Sequence, residues 1–316
     1  MPAVIVHDSF ALENTPRDEK SFLSIVRAGT QGPDFFMAYG TNPLRKRADS
    51  ATIRPFGSHM HQISITPTYW KMMQYAAKKE GRTKQMLFAY LDGLLMHFSV
   101  DRVFHPYVFY RTGFDENGEL HGKWGWAHGF FEAILDEVVG LEKGTFQRPD
   151  RAMGLCQMED IIEVSKMWHA SADFPLKDDS FTLSYVDYNA VTRMMWSRGG
   201  IKRALISLGG KYSKPMSMIY PTKRRLKKFA GLDVMNKAHA TWKDPVTLEE
   251  SSAGFKELWA KAKADYQEVH ALLLRAKEGE DIEDALDVWS LHINHDGTPL
   301  GQQKKEHADC FHLRDE

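Results

Sequence analysis

The chain has 316 residues, 43% hydrophobic and 12% aromatic, enough to bury a full core in one large or two modest domains. Its net charge of -1 and pI near 6.9 exclude the basic excess of a dedicated nucleic-acid binder, so no nucleic-acid partner is expected. Two distant cysteines, Cys156 and Cys310, exclude a disulfide framework and a thiolate metal site, and the apolar run 86–100, interrupted by Asp92 and His97, is too short for a transmembrane segment.

The start, MPAVIVHDSF, has no charged n-region, apolar h-region or small-residue cleavage site, and cytoplasmic residence is the expectation. Helical signals then dominate. Thr15-Pro16-Arg17-Asp18 reads as N-cap, N1 proline and capping-box acid of a helix closed by Gly29. GPDFF (32–36) follows as a loop that sets Asp34 on irregular backbone, and HMH (59–61), taken as an extended segment, offers either His59 or His61. Residues 67–81 and 84–104 read as two helices split at Gly81, and 125–140 as another closed at Gly140. Between them RTGFDENGELHGK is a turn-rich loop in which His121 reads as solvated. Residues 155–169 and 186–208 read as helices. SLGGKYSKP (207–215) fails as a phosphate loop, because Leu205 stands where glycine is required and Tyr212 replaces Ser or Thr. KRRLKK (223–228) reads as a solvated face, with contact to an anionic headgroup or phosphate as the alternative. Residues 252–277 form a long amphipathic helix, and the end from about 292, with His295, His307 and His312, reads as a loosely ordered surface tail.

The chemistry sits in QMLFAYLDGLLMHFSVDRVFHPYVFY. His97, Asp101 and His105 are spaced i, i+4, i+8 and share one helix face. Their neighbours are Leu, Met and Phe, and burying a carboxylate with two imidazoles costs several kcal/mol unless they are paired or metal-bound. A second helical pair, His128 and Glu132, follows with Asp136 one turn further on. Nitrogen and oxygen ligands on two facing helices suit zinc in the core of a bundle.

The stretches GPDFF, MHQ (60–62), GLLMHFSVDRVFHPY (93–107) and HGFFEAILDE (128–137) resemble the zinc-dependent phospholipase C family, which is related to phosphatidylcholine-preferring phospholipase C and to single-strand-specific zinc nucleases; HATWKDPVTLEESSAGFKELWAKA (239–262) resembles its C-terminal pattern more loosely. The resemblance covers about the first 140 residues and implies an all-α, multi-helix phospholipase C/nuclease-like bundle with a metal cluster in its core. It implies three zinc ions bridged by an aspartate and a water or hydroxide. Asp34, His61, His97 and Asp101 match the ligands of one; His105, His128 and Glu132 those of a second. His7 matches the third, which in the family also takes Asp101 and the chain's own N-terminal amine and carbonyl. Here the secreted enzymes' N-terminal tryptophan is lacking, so two to three Zn2+ are expected.

The implied organisation is a single helical metal-dependent hydrolase domain, 1–290, with its motifs in 1–145 and a less characterised helical part in 146–290, followed by the tail 291–316. The implied activity is hydrolysis of a phosphoester, a phospholipid or a soluble phosphodiester, by a metal-activated hydroxide, with Asp34 as ligand or general base. Phe35, Phe36, Tyr39, Tyr107 and Trp126 flank these ligands and read as core or as cleft lining. Two other classes compete. One is an HD-type nucleotide phosphohydrolase, suggested by His7-Asp8 and His295-Asp296; the other is a non-catalytic helical protein whose closed metal shells contribute folding energy. Serine-hydrolase and dinucleotide fingerprints are absent.

Overall fold

The apolar run carrying His97 and Asp101 becomes one helix of 32 residues, around which the remaining elements pack. In this computed structural model, which describes residues 4–42, 45–142, 155–195, 205 and 231–305, the fold is all-α apart from one two-stranded antiparallel ribbon. In chain order the helices are α1 (Val4–Asn14), α2 (Leu23–Gly29), α3 (Asp34–Met37), α4 (Ser50–Ile53), α5 (Pro55–Gln62), α6 (Thr66–Ala77), α7 (Gly81–Thr112), α8 (Lys123–Glu142), α9 (Met158–Ser171) and α10 (Ser180–Met195). The ribbon β1 (Trp242–Lys243) and β2 (Glu250–Ser251) precedes α11 (Phe255–Lys277) and α12 (Glu283–Ser290). Among the described residues no helix is long and apolar enough to cross a membrane. SLGGKYSKP beyond Leu205 and KRRLKK lie outside the described residues, as do His307 and His312.

From Met86 to Asp101 every residue of α7 is buried, so this helix has no solvated stripe. Helices α1, α2, α6, α8, α9 and α11 all pack on it. The closest approach is to α2. A Cβ at Gly93 would lie 2.1 Å from the Val26 carbonyl, and one at Gly29 2.3 Å from the Tyr90 carbonyl, so the two backbones touch only because neither position has a side chain. That crossing carries Thr30 and the following turn over His97.

Several boundaries differ from the sequence reading. Thr15 ends α1 instead of capping the next helix: its N–H and hydroxyl both reach the Ala11 carbonyl, at 2.9 and 2.6 Å. After a 3-10 turn at Lys20–Phe22, α2 begins only at Leu23. Gly81 is where α7 starts, and Asp34 opens the short helix α3 and is not on irregular backbone. HMH lies in helix α5, not in an extended segment.

A second buried polar cluster joins α7 to α11. Asp92 is fully buried and accepts hydrogen bonds from Tyr266 Oη and His270 Nδ1, both at 2.8 Å. Glu19, 5% exposed, stands beside it with Oε2 lacking a hydrogen-bond partner. Burial, reinforced by the Asp92 charge, pushes the Glu19 carboxyl up to about 8. A folded-state pKa above the unfolded one means that this group's stability contribution is complete below the ordinary glutamate range and is lost as pH rises through about 8. Glu19→Gln is therefore expected to melt several degrees higher than wild type at pH 9 and within about one degree of it at pH 5. The same offset at both pH values would overturn the assignment.

Candidate metal centre

Three helices, α1, α5 and α7, and the segment after α12 converge on Asp101. Its carboxylate is 6% exposed and uses both oxygens. Oδ1 lies 3.1 Å from His7 Nε2, supplied by α1. Oδ2 lies 3.0 Å from His97 Nε2, 3.5 Å from His61 Nε2 on α5 and 3.7 Å from His295 Nδ1. Burial alone would raise the Asp101 pKa, but His97, His105 and the other imidazoles hold it well below the usual carboxylate range. The ligand atoms of His61, His97, Asp101 and His295 all fall within 4.8 Å of one another, a group able to hold a metal ion.

One turn along α7 begins a second such group, His105, His128 and Glu132. Glu132 Oε1 lies 3.6 Å from His105 Nε2 and 3.4 Å from His128 Nε2. Burial works against a charged Glu132, yet His128 and His105 lower its pKa below the usual carboxylate range. His105 is the reverse case: burial disfavours its charge, but Asp101 and Glu132 raise its pKa to about 10.

The outward ring nitrogens are fixed by main-chain carbonyls. His97 Nδ1 pairs with the Thr30 carbonyl at 3.0 Å, His61 Nδ1 with Gly57 at 2.7 Å and His105 Nδ1 with the carbonyl of His295 at 2.8 Å. With Nδ1 committed to these carbonyls, Nε2 is the nitrogen that faces inward, the orientation that metal-ligating histidines take from their supporting hydrogen bonds. His295 is turned the other way, with Tyr69 Oη 3.1 Å from Nε2, so Nδ1 faces Asp101. Burial pushes the His295 imidazole down to about 3, and the ring is neutral.

Several buried polar atoms here have no hydrogen-bond partner: His7 Nδ1, His128 Nδ1, His295 Nδ1 and Glu132 Oε2. Such atoms are costly unless something coordinates them. The donor set is imidazole nitrogen and carboxylate oxygen without sulfur, which fits zinc-class divalent cations.

Gly32 explains the turn before Asp34. It adopts φ +57°, and a Cβ there would lie 2.2 Å from His97 Cδ2, so this position accepts glycine for both reasons. Asp34 follows with Oδ1 3.3 Å from His61 Nε2, beside the four-membered group and not within it. Asp34, His61, Asp101, His105, His128 and Glu132 together line a cavity of about 860 Å3.

His7, Asp34, His61, His97, Asp101, His105, His128 and Glu132, the residues singled out in the sequence, thus all lie at this centre. Of the two histidines of HMH, His61 faces the centre, while His59 is half-buried with its ring 5.7 Å from Phe174. Asp136 serves a different purpose from its neighbours on α8. Its carboxylate accepts the N–H groups of Ile5 and Val6 at 3.1 and 2.9 Å, capping α1 and so setting the position of His7. His121 is a solvated loop residue, its side chain 78% exposed and paired with Asp115. Phe35, Phe36, Tyr39, Tyr107 and Trp126 are core residues, each at most 6% exposed, and none lines the cavity.

His295 is the residue that sequence reasoning misplaced. It is fully buried, and residues 291–305 follow a defined path. The available signal was the turn chemistry of Asn294-His295-Asp296-Gly297 directly after an amphipathic helix. In the two His-Asp dipeptides the aspartates are occupied elsewhere: Asp8 holds Arg27 at 2.5 and 3.1 Å, and Asp296 lies 3.3 Å from Lys304 Nζ. Comparison with known protein families, curated proteins and solved structures finds no match to this chain.

Proposed function

We propose that this protein is a zinc-dependent phosphoester hydrolase, phospholipase C-like in its ligand arrangement. One observation carries the reading: two candidate metal groups, one helical turn apart on α7, open on the same cavity, and among the described residues the second offers three protein ligands. Three ligands leave a position for water or substrate, the pattern of catalytic zinc sites, whereas four close the tetrahedron of a structural one.

Zinc in such a centre lowers the pKa of a water toward neutrality and neutralises charge on the phosphoryl oxygens. The chain's own residues supply the rest. Glu132 and His128 on α8 and His105 on α7 would hold such a cation at the cavity wall. Asp34, at the cavity wall beside His61, takes the proton of the attacking water. Asp101 ties the two groups together through α7 and leaves Oδ1 for His7. The four-atom first group favours a second role for its metal, that of holding the fold together. The resemblance of GPDFF, MHQ and the α7 and α8 stretches to the phospholipase C family supports a phosphodiester as the substrate.

Purified protein is expected to hydrolyse bis(p-nitrophenyl) phosphate, to lose that activity with a strong chelator and to regain it with zinc. Asp34→Asn should lower turnover by about a hundredfold or more, within the usual worth of a general base, while metal content by elemental analysis stays near wild type. Full metal occupancy without turnover on diesters or monoesters would overturn the hydrolase reading and leave the structural one.

A further inference from the structure

The segment that delivers His295 is held in place almost entirely by polar contacts. It leaves α12 through two consecutive residues in the left-handed region, Leu291 at φ 49° and His292 at φ 51°, a conformation that side chains disfavour. A tight turn follows. Asn294 N–H donates to the Thr298 carbonyl and Thr298 N–H to Asn294 Oδ1, both at 3.0 Å. The residues of 291–304 that are buried are Asn294, His295 and Thr298, all polar, so little apolar area fastens this stretch to the body.

Besides Tyr69 on α6, which meets His295 Nε2, most of what fastens it comes from α7. Arg102, which stacks over the Trp289 ring at 4.1 Å, donates to the carbonyls of Trp289 and Ser290 at 3.1 and 3.3 Å and pins the start of the segment. Pro106 has no N–H to give the Arg102 carbonyl. Gly297 fills that place: a Cβ on it would lie 2.6 Å from the Arg102 carbonyl oxygen and 2.8 Å from the Pro106 ring. His105, a member of the second group, holds the His295 carbonyl, while His295 Nδ1 points into the first. Beyond the turn, Pro299 to Lys304 form one wall of the cavity, where Lys304 Nζ lies 4.0 Å from the Phe109 ring centre.

We propose that residues 291–304 are a metal-latched strap: a zinc-class cation in the first group takes His295 as its ligand, docks the strap, and thereby builds the cavity wall over the second group. This rests on the reading of the first group as a metal site. It assigns the two groups different work, the first to closing the cavity and the second to the chemistry inside it. His295 Nδ1, buried and without a hydrogen-bond partner, otherwise adds a cost to docking that the strap's small apolar area cannot offset.

The test is amide hydrogen exchange across 291–304 in the full-length protein, stripped with chelator and then reloaded with zinc chloride alone, with metal counted by elemental analysis. In wild type, zinc should slow exchange in this segment by about tenfold or more. His295→Ala should lose about one equivalent of zinc, retain metal in the second group and show no zinc-dependent slowing at 291–304. Gly297→Val, which touches no ligand, should weaken both the slowing and the first equivalent together. If wild type binds zinc at both groups with exchange at 291–304 unchanged, the strap proposal is overturned and the metal reading stands. Wild type that binds no zinc overturns the metal reading itself. The wild-type comparison needs no variant to fold.

Discussion

Asp101→Asn is expected to strip more metal from this protein than any other single substitution. The side chain keeps its shape and loses its charge, so the effect isolates what the carboxylate does. Oδ2 faces His61, His97 and His295, and Oδ1 faces His7, so both sides of the centre lose their shared anion at once. Four imidazoles then crowd a buried space with Asp34 as the remaining nearby acid, and removing one partner from such a cluster typically costs about 3–5 kcal/mol. Glu132→Gln supplies the contrast, since Glu132 serves the second group only. Elemental analysis should find the first equivalent gone in Asp101→Asn and kept in Glu132→Gln, with the larger fall in melting temperature in the former. Equal and small losses in the two variants would remove Asp101 from its bridging place.

Chelation is expected to destabilise the whole fold and not merely silence a site. The candidate ligands of the two groups come from α5, α7, α8 and the segment after α12, so bound cations would cross-link elements distant in sequence. A ligand present at a thousand times its Kd contributes about 4 kcal/mol to the native state, which corresponds to roughly 6 °C in Tm for a chain of this size. Without metal the buried imidazole and carboxylate atoms keep their desolvation cost and lose their compensation. Differential scanning calorimetry with and without chelator measures the difference directly. An unchanged Tm in protein shown to be metal-free would mean that these groups are satisfied by their hydrogen bonds alone.

The centre was legible in the sequence wherever ligands share a helix. His97, Asp101 and His105, and again His128 and Glu132, are placed by the 3.6-residue period alone, which needs no knowledge of the tertiary fold. Residues brought in by docking were not legible in that way. His295 comes to Asp101 across nearly two hundred positions, and only the packing of its turn on Arg102 and Pro106 brings it there. Helix α1 escaped notice because it is buried on nearly every side, from Val4 to Ala11, and shows no polar stripe. Asp136 continued the α8 ligand spacing and was grouped with His128 and Glu132; its partner turned out to be a helix start 130 residues away in the chain, to which spacing is blind.

The two candidate metal groups are joined by the backbone of α7 itself. Four residue steps of helix lead from Asp101 to His105, a rise of about 6 Å fixed by main-chain hydrogen bonds. The distance between the groups is therefore a ruled length. Loops elsewhere in the molecule can lengthen or shorten without changing it, whereas one residue gained or lost between these two positions would swing His105 through about 100° and turn it away from His128 and Glu132. Variation in chain length during evolution or design has room in the turns on either side of this helix and none within that single turn of it.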